Sequence, residues 1–363
     1  MHPRSTRDTD AFYRDAKYGE LWVGRRFTLD EAKARYQIDT LQLNDLEALL
    51  SDGKETLTLR SVDPAVDPKV KKHDREEEFS IFVSEQRLCK DEYEIREMQA
   101  AVDATALGFN DVIHAMPAAV ETPRGERVLD AAFYGRARIL GNDLGYNTIV
   151  GAGSHACVLH WIRNDGDVRR GELVLVDAGV EVESFYTADI TRTLPVDGKF
   201  TPAQRALYML VYESQLAGFA AIKPGVLFSE INKACQAVLA KGLADMGVLT
   251  VSAEESLKPE VGLHRRWTLH GVSHHLGLDV HDCAQARKDQ YLDAPLREGM
   301  VLTVEPGLYI QPDDELFAPE YRGIGIRIED DVVVTADGCR NISENIPRHP
   351  DEIEKWMKSV LGR

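Results

Sequence analysis

Cysteine is scarce in this 363-residue chain: Cys89, Cys157, Cys235, Cys283 and Cys339 are five in number, widely spaced and form no Cys-x-x-Cys pair. An odd, dispersed set excludes a disulfide framework and a thiolate zinc site and reads as reduced thiols, which points to a cytoplasmic location. Long apolar runs are also missing. No stretch approaches the roughly 20 residues that span a bilayer, and Met1 to Asp10 is polar, without the apolar centre of an export signal. The expectation is a protein with no membrane partner. Positive charge is in deficit as well, because 43 Lys and Arg against 60 Asp and Glu leave a net charge of -17. That balance repels phosphate backbones, so nucleic acid is not an expected partner.

What is present is an ordinary globular composition, 44% hydrophobic and 28% charged, in a chain long enough for about two domains. Residues 1–88 read as a small α/β segment. A short strand is expected at Glu20 to Gly24, a helix at Thr28 to Tyr36 with a Thr28/Glu31 capping box, a second helix at Asn44 to Leu50 and a short strand near Leu57 to Leu59. The charged stretch Lys69 to Glu78 reads as a solvated face or linker helix.

From residue 89 onward the pattern changes. Apolar residues at Ile95, Met98, Val102, Leu107 and Val112 predict a long amphipathic helix from Glu92 to His114, ending before Pro117, and another follows at Arg127 to Leu140. Strands are expected at Asn147 to Val150, Leu173 to Asp177 and Asp189 to Leu194. Helices at Pro202 to Ile222 and Phe228 to Met246 come next, then strands at Val272 to His281, Met300 to Glu305 and Gly325 to Val334. Helix, helix, strands, then helix, helix, strands is a repeat, and it predicts an α+β domain over residues 89–363 whose two halves are related by a pseudo-twofold around a central site.

The chemistry sits at strand ends. Leu173 to Val176 is a continuous apolar run that ends in Asp177, and an isolated Asp-Ala-Gly is ordinarily a turn. Its company changes that reading, because a hairpin can carry Asp177 and Asp189 to one point, and paired carboxylates demand a cation or a shared proton. His270, His274, His275 and His281 put four of the eleven histidines in twelve positions with glycines between them, more than packing explains. In a regular strand His270 and His274 would share one face and His275 and His281 the other, with His275 the member that meets solvent. Glu305 ends the run Met300 to Val304. Arg327 and Glu329 fall two apart on one strand face, close enough to pair. Carboxylates beside buried strands cost several kcal/mol unless neutralised. Four carboxylates and one imidazole form an oxygen-rich donor set of the kind manganese prefers.

The ordered set Asp177 (VDAG), Asp189 (DITRT), His274 (HGVSHHLGLDVHD), Glu305 (TVEPGLY) and Glu329 (GIGIRIED) resembles the pita-bread metallopeptidases, in the proline-directed branch that contains aminopeptidase P and prolidase. The likeness runs from about Leu88 to Met357. Lys199 to Arg205 and Ser273 to His281 are more similar to the aminopeptidases than to the dipeptidases. The resemblance implies that Asp177, Asp189, His274, Glu305 and Glu329 hold two divalent ions, manganese first and cobalt or zinc as alternatives, with Asp189 and Glu329 binding both ions or the tighter one. It further implies that His160 and His281 assist at the scissile carbonyl, His270 lines the proline pocket, and Arg327 and Tyr309 support the ligands. Substrates are then proline-containing peptides cut at an N-terminal Xaa-Pro bond, the chain a homodimer or higher oligomer.

Two cations about 3.5 to 4 Å apart would hold a bridging hydroxide as nucleophile and polarise the carbonyl. The nitrogen of a prolyl amide carries no proton and must receive one on leaving, a task that falls to Glu305. Two departures from the family pattern stand out. Asp177 and Asp189 are twelve apart, one more than expected, which predicts a bulge or longer turn between them, and only the latter part of the family's α/β N-terminal domain is recognisable in residues 1–88. Dipeptide hydrolysis, creatine-type hydrolysis, methionine removal and a non-catalytic peptide-binding module are the competing readings. The intact ligand set disfavours the last, and His160 with Arg327 favours proline-directed work over the middle two.

Overall fold

The computed structural model describes residues 1–51, 55–64 and 66–362. By internal contacts the chain divides into two units, Met1–Ile81 and Phe82–Arg363. The division falls within the helix Glu76–Gln86, a few residues before the position read from the sequence. Among the described residues no helix is long and apolar enough to cross a membrane.

The first unit contains the short helices Asp10–Arg14, Glu20–Val23, Leu29–Tyr36 and Leu46–Leu50, and none of its described residues forms a strand. Leu29–Tyr36 begins with the expected capping box, the Thr28 hydroxyl accepting from the Glu31 backbone N–H and the Glu31 carboxylate accepting from that of Thr28. Both expected strands are corrected. Glu20–Val23 is a helical turn stopped by Gly24 at φ 83, a left-handed conformation that glycine adopts without strain. The Glu20 carboxylate takes two hydrogen bonds from Arg4 at 2.8 and 2.9 Å. Leu57 to Leu59 belongs to no strand. An apolar run becomes a strand only where an edge receives it, which periodicity does not reveal.

The second unit follows the expected repeat. Helices α1 (Glu92–Glu121) and α2 (Gly125–Leu140) precede strands β1 (Ile149–Ala152), β2 (Leu173–Ala178) and β3 (Ile190–Pro195). Helices α3 (Pro202–Ala221) and α4 (Ser229–Asp245) precede β4 (Val301–Val304), β5 (Gly307–Tyr309), β6 (Gly325–Arg327), β7 (Asp330–Val334) and β8 (Cys339–Asn341), and α5 (Pro350–Val360) closes the chain. Each half contributes a three-stranded antiparallel sheet, β1-β2-β3 in one and β8-β7-β4 in the other. Apolar side chains of α1 and α2, among them Phe109, Val112 and Phe133, pack with Val174 and Val176 in the main core. At about 25 cal/mol per Å² of apolar surface, this burial is the main source of stability.

Two expectations on local structure are corrected and a third is narrowed. Helix α1 continues through Pro117 to Glu121, its far end held by the burial of Met116 and Ala119, which offsets the hydrogen bond a proline removes. Val272 to His281 is not a strand. Its first half lies along β4, with Glu305 N–H donating to Val272 O at 2.8 Å and Thr303 N–H to His274 O at 3.0 Å. Its second half curls so that Asp282 N–H reaches His275 O at 2.9 Å. Gly277 permits the curl, since a side-chain carbon there would stand 2.3 Å from an Asp282 carboxylate oxygen. The Asp177 to Asp189 hairpin needs no bulge either. The pairing Asp177↔Thr191 and Ala178↔Ile190 continues in register to the turn, where Val182 N–H donates to Tyr186 O at 3.0 Å and Phe185 takes φ 70. The extra length is a longer turn.

The two halves are tied by Arg192 of β3, whose side chain is fully buried and pairs with the equally buried Asp330 of β7 at 2.8 Å. Arg192 also donates to the carbonyls of Thr191, Glu329, Ile346 and Pro347 at 2.7 to 2.9 Å. Removing one partner of such a pair strands the other charge. Arg192→Ala is therefore expected to lower unfolding free energy by about 3–5 kcal/mol, read by denaturant titration; a change below about 1 kcal/mol would contradict the assigned role.

Candidate metal centre

The register of the first hairpin puts Asp177, Thr191 and Asp189 on one face, because cross-strand partners share a face and so do residues two apart on a strand. Glu305 follows β4, and Glu329 lies between β6 and β7. His274 is set by the stretch along β4, its backbone N–H donating to Thr303 Oγ1 at 3.1 Å. Asp177, Asp189, His274, Glu305 and Glu329, with His160, His270, His281 and Arg327, line one cavity of about 550 Å³. Tyr309 stands behind it.

Ligand atoms of Asp189, His274 and Glu329 all lie within 4.8 Å of one another. His274 Nε2 is 3.3 Å from Asp189 Oδ2 and 3.4 Å from Glu305 Oε1, while its Nδ1 is 3.1 Å from the His275 carbonyl. A carbonyl only accepts, so Nδ1 carries the proton and Nε2 faces the carboxylates, the tautomer that a metal-ligating histidine adopts. Tyr146 Oη is 2.6 Å from Asp177 Oδ1 and 2.5 Å from Asp189 Oδ1. A phenol has one proton to donate, so the second contact needs a protonated carboxylate or a cation beside it. Thr191 Oγ1 donates to Glu329 Oε2 at 2.6 Å. Arg327 pairs with Asp177 at 2.6 Å; the expected pairing with Glu329 is corrected, because Arg327 and Glu329 flank the end of β6 and the guanidinium reaches across to β2.

Electrostatics describe a centre that wants cations. Burial raises Asp189 from its ordinary value, with the His274 hydrogen bond opposing and the Asp177 charge helping. It pushes Glu305 up to about 7, with His274 opposing, and Glu329, beside Asp189 and Glu305, goes well above its usual value. Burial opposes the charged form of His274, yet the hydrogen bond to Asp189 and the Glu305 charge take it up to about 9. The donor set fits hard divalent cations, which would ionise all these carboxylates at once.

The remaining predicted residues divide by environment. Burial and the Arg327 charge pull His270 down to about 4. Its Nδ1 is 2.9 Å from the Gly271 carbonyl and its Nε2 2.7 Å from Tyr309 Oη. The neutral ring therefore accepts from the phenol, which in turn accepts from Arg327 Nη1 at 3.0 Å. His281 packs edge-on to His274, ring centroids 4.5 Å apart, and burial lowers it. His160 is exposed at the rim. His275 is corrected: it is 1% exposed and lies between Phe228 and Tyr291, not in solvent.

The profile of metallopeptidase family M24 matches residues 96–336. The chain belongs to this family. It is 49% identical to Xaa-Pro aminopeptidase 1 of Streptomyces coelicolor over 99% of its own length and 73% of the relative's, and 35% identical to the Xaa-Pro aminopeptidase of Escherichia coli over 93% and 79%. A substrate complex of a single-residue variant of Escherichia coli aminopeptidase P superposes with a TM-score of 0.82 at 34% identity, covering 95% of this chain and 81% of that one.

Two residues of this M24 protein escaped sequence reasoning. Tyr146, at the start of the segment that continues as Asn147-Thr-Ile-Val, carried no signal beyond that adjacency. Glu126 read as an ordinary first-turn helix acid. It is fully buried, and its four donors come from the end of β1 and from the loop beyond it that carries His160: Oε1 accepts from Ala152 N–H and His155 Nδ1 at 2.8 Å, and Oε2 from Trp161 Nε1 at 2.8 Å and Gly166 N–H at 2.6 Å.

Two outcomes follow. Metal binding to the M24 centre displaces protons from groups whose burial holds them protonated, so apparent manganese affinity should strengthen as pH rises towards and through 7, by up to about tenfold per unit for each proton displaced; a pH-independent affinity between 6 and 8 would contradict the electrostatics. Glu126→Gln retains one acceptor oxygen for four donors. Its kcat/KM should fall about tenfold or more as His160 loses its fixed position, with metal content unchanged; an unaltered kcat/KM would deny Glu126 that role.

Proposed function

We propose that the chain is a metal-dependent Xaa-Pro aminopeptidase, releasing the N-terminal residue of peptides whose second residue is proline. The observation that carries this reading is the convergence of five ligand-type side chains and three histidines on one cavity. The relatives named Xaa-Pro aminopeptidase support it. The oxygen-rich donor set favours manganese. Bound by Asp177, Asp189, His274, Glu305 and Glu329, two divalent ions would supply an activated water and polarise the scissile carbonyl.

The chain's own groups have distinct parts to play. Glu305 lines the cavity and, ionised once cations are bound, would take up a proton and pass it to the departing prolyl nitrogen. His281 and His160 face the same cavity and can donate to the carbonyl oxygen as charge develops there. His270 is kept neutral and fixed by Tyr309, so it offers an uncharged wall suited to the proline ring. Arg327 supplies a permanent positive charge that orients Asp177 and Tyr309.

Metal-stripped protein and protein reloaded with manganese, cobalt or zinc should be assayed on Xaa-Pro-Xaa tripeptides, Xaa-Pro dipeptides and Xaa-Ala-Xaa controls. Cleavage is expected only with metal and only before proline. Turnover indifferent to both overturns the proposal, and cleavage confined to dipeptides converts it to a dipeptidase. Glu305→Ala should lower kcat by about 10²–10⁴-fold with an unchanged circular dichroism spectrum; a near-wild-type rate removes Glu305 from the mechanism.

A further inference from the structure

His281 lines the metal cavity, yet nothing grips its ring. Among the described residues no hydrogen bond reaches either ring nitrogen. The ring meets His274 edge-on, and the residue is otherwise exposed. An imidazole in this position points where its backbone points, so its aim is set by the residues on either side.

That backbone belongs to no helix or strand, but it is held from below. Asp282, the next residue, has both carboxylate oxygens taken: Oδ2 accepts from Lys90 Nζ at 2.9 Å, and Oδ1 accepts from Arg87 Nη2. The Lys90 and Asp282 side chains are each 1% exposed. The same Arg87 nitrogen donates to Asp279 Oδ2 at 2.6 Å, so His281 stands between two carboxylates that share one guanidinium. Asp282 N–H closes on His275 O at 2.9 Å. Gly277 lies against the ion pair, since a carbon added there would stand 2.3 Å from Asp282 Oδ2 and 2.8 Å from Lys90 Cε. Lys90 is itself anchored, its N–H donating at 2.8 Å to Gly299 O, two residues before β4.

A second observation points the same way. Cys283, on the far side of Asp282, takes φ 61 at 2% exposure. A residue with a side chain keeps that left-handed conformation only where its surroundings over-determine it. The buried ammonium is costly too, because an ion pair seldom repays in stability what desolvation takes. Both costs fall beside one unanchored histidine.

We infer that Lys90, with Arg87, is a positioning residue for His281: the buried ammonium fixes Asp282, and Asp282 fixes the backbone from which the imidazole reaches the scissile carbonyl. The inference rests on the aminopeptidase reading and extends it from the groups that meet the substrate to the cations that aim one of them. Lys90 and Arg87 lie outside the lining of the metal cavity, so they act through the loop alone. A donor aimed at developing charge works on turnover more than on ground-state binding, and losing the aim costs kcat while sparing KM.

The test assays the manganese-loaded full chain on Ala-Pro-Ala as wild type, K90M, R87M, H281A, K90M/H281A and R87M/H281A, with metal content and melting temperature recorded for each. K90M keeps the buried stem and removes the ammonium. It should lower kcat by about tenfold or more, with KM changed less than about threefold and metal content unchanged. In the H281A background there is nothing left to aim, so K90M should change kcat by less than about twofold. A K90M kcat equal to wild type, or a loss as large in H281A as in wild type, overturns the inference while leaving proline-directed cleavage standing. K90M leaves Asp282 buried without its ammonium. Should it fail to fold, R87M decides, because the Arg87 side chain is 30% exposed and the Lys90 pair stays in place. R87M should lose about threefold or more in kcat, a loss absent from R87M/H281A; a wild-type kcat, or an equal loss in both backgrounds, overturns the inference. Absence of any cleavage before proline by the wild type overturns the aminopeptidase reading and this inference with it.

Discussion

The buried ion pair between Arg192 and Asp330 is the constraint on which the centre depends. Neither strand that carries it is long, and β3 and β7 belong to different sheets. Arg192 spans the seam and takes carbonyls from both sides of it, including that of Glu329. Asp330 is claimed from three further directions: Gln215 of α3 donates to it at 2.8 Å, Ser343 at 2.6 Å, and Arg348 lies 3.5 Å away. A buried pair of this kind is seldom a net gain over apolar packing, because desolvation consumes most of the Coulomb energy. Its effect is on geometry. With Arg192 committed, Glu329 N–H meets Thr191 O at 3.1 Å, and the Thr191 hydroxyl meets the Glu329 carboxylate, so a ligand from one half is aligned with two from the other.

The ligand cluster then inverts the usual economy of a core. Carboxylates crowded at low exposure repel one another, and the positive groups at hand, His274 and Arg327, do not match four negative charges. Arg327 is pinned to Asp177 and Tyr309, and His274 must turn Nε2 inward because its Nδ1 is held by a carbonyl. What the protein supplies is a rigid deficit of positive charge. Rigidity is what makes the deficit useful, since a flexible cluster would relax outwards into water and lose its demand for cations.

Much of this was legible in the sequence, for identifiable reasons. Asp177, Asp189, Glu305 and Glu329 each end or adjoin an apolar strand, and alternation along a strand reports its face. The capping box at Thr28 marked a helix start through local hydrogen bonds alone. Failures came wherever tertiary contact overrode local pattern. Glu20–Val23 has strand-like composition but no edge to pair with. Pro117 stays helical because neighbouring turns are buried. The histidine segment looked periodic, but Gly277 lets it turn back on itself, so the parity argument held for His274 against His275 and failed for His281. Arg327 was assigned its nearest sequence neighbour, whereas the structure gives it a carboxylate 150 positions away.

The two rim histidines show a further regularity that no periodicity carries. His160 and His281 lie outside regular strands, on irregular segments that would ordinarily be mobile. Each segment is held by one buried carboxylate. Glu126 gathers four N–H donors from residues 152–166. Asp282, next to His281, is 1% exposed in its side chain and pairs with Lys90 at 2.9 Å and with Arg87. Burial of Lys90 is deep enough to bring it down to about 8, a cost that a loop without positional demands would not sustain. Glu126 satisfies neutral donors and Asp282 meets cations, yet the outcome is the same: an irregular backbone gains the rigidity of a strand at one chosen side chain. The candidate carboxylate ligands are placed by sheet register and the histidines at the rim by buried charge, and these two devices leave different traces in a sequence. Register repeats every second residue and can be read directly, whereas a buried anchor such as Glu126 appears only once its loop has folded around it.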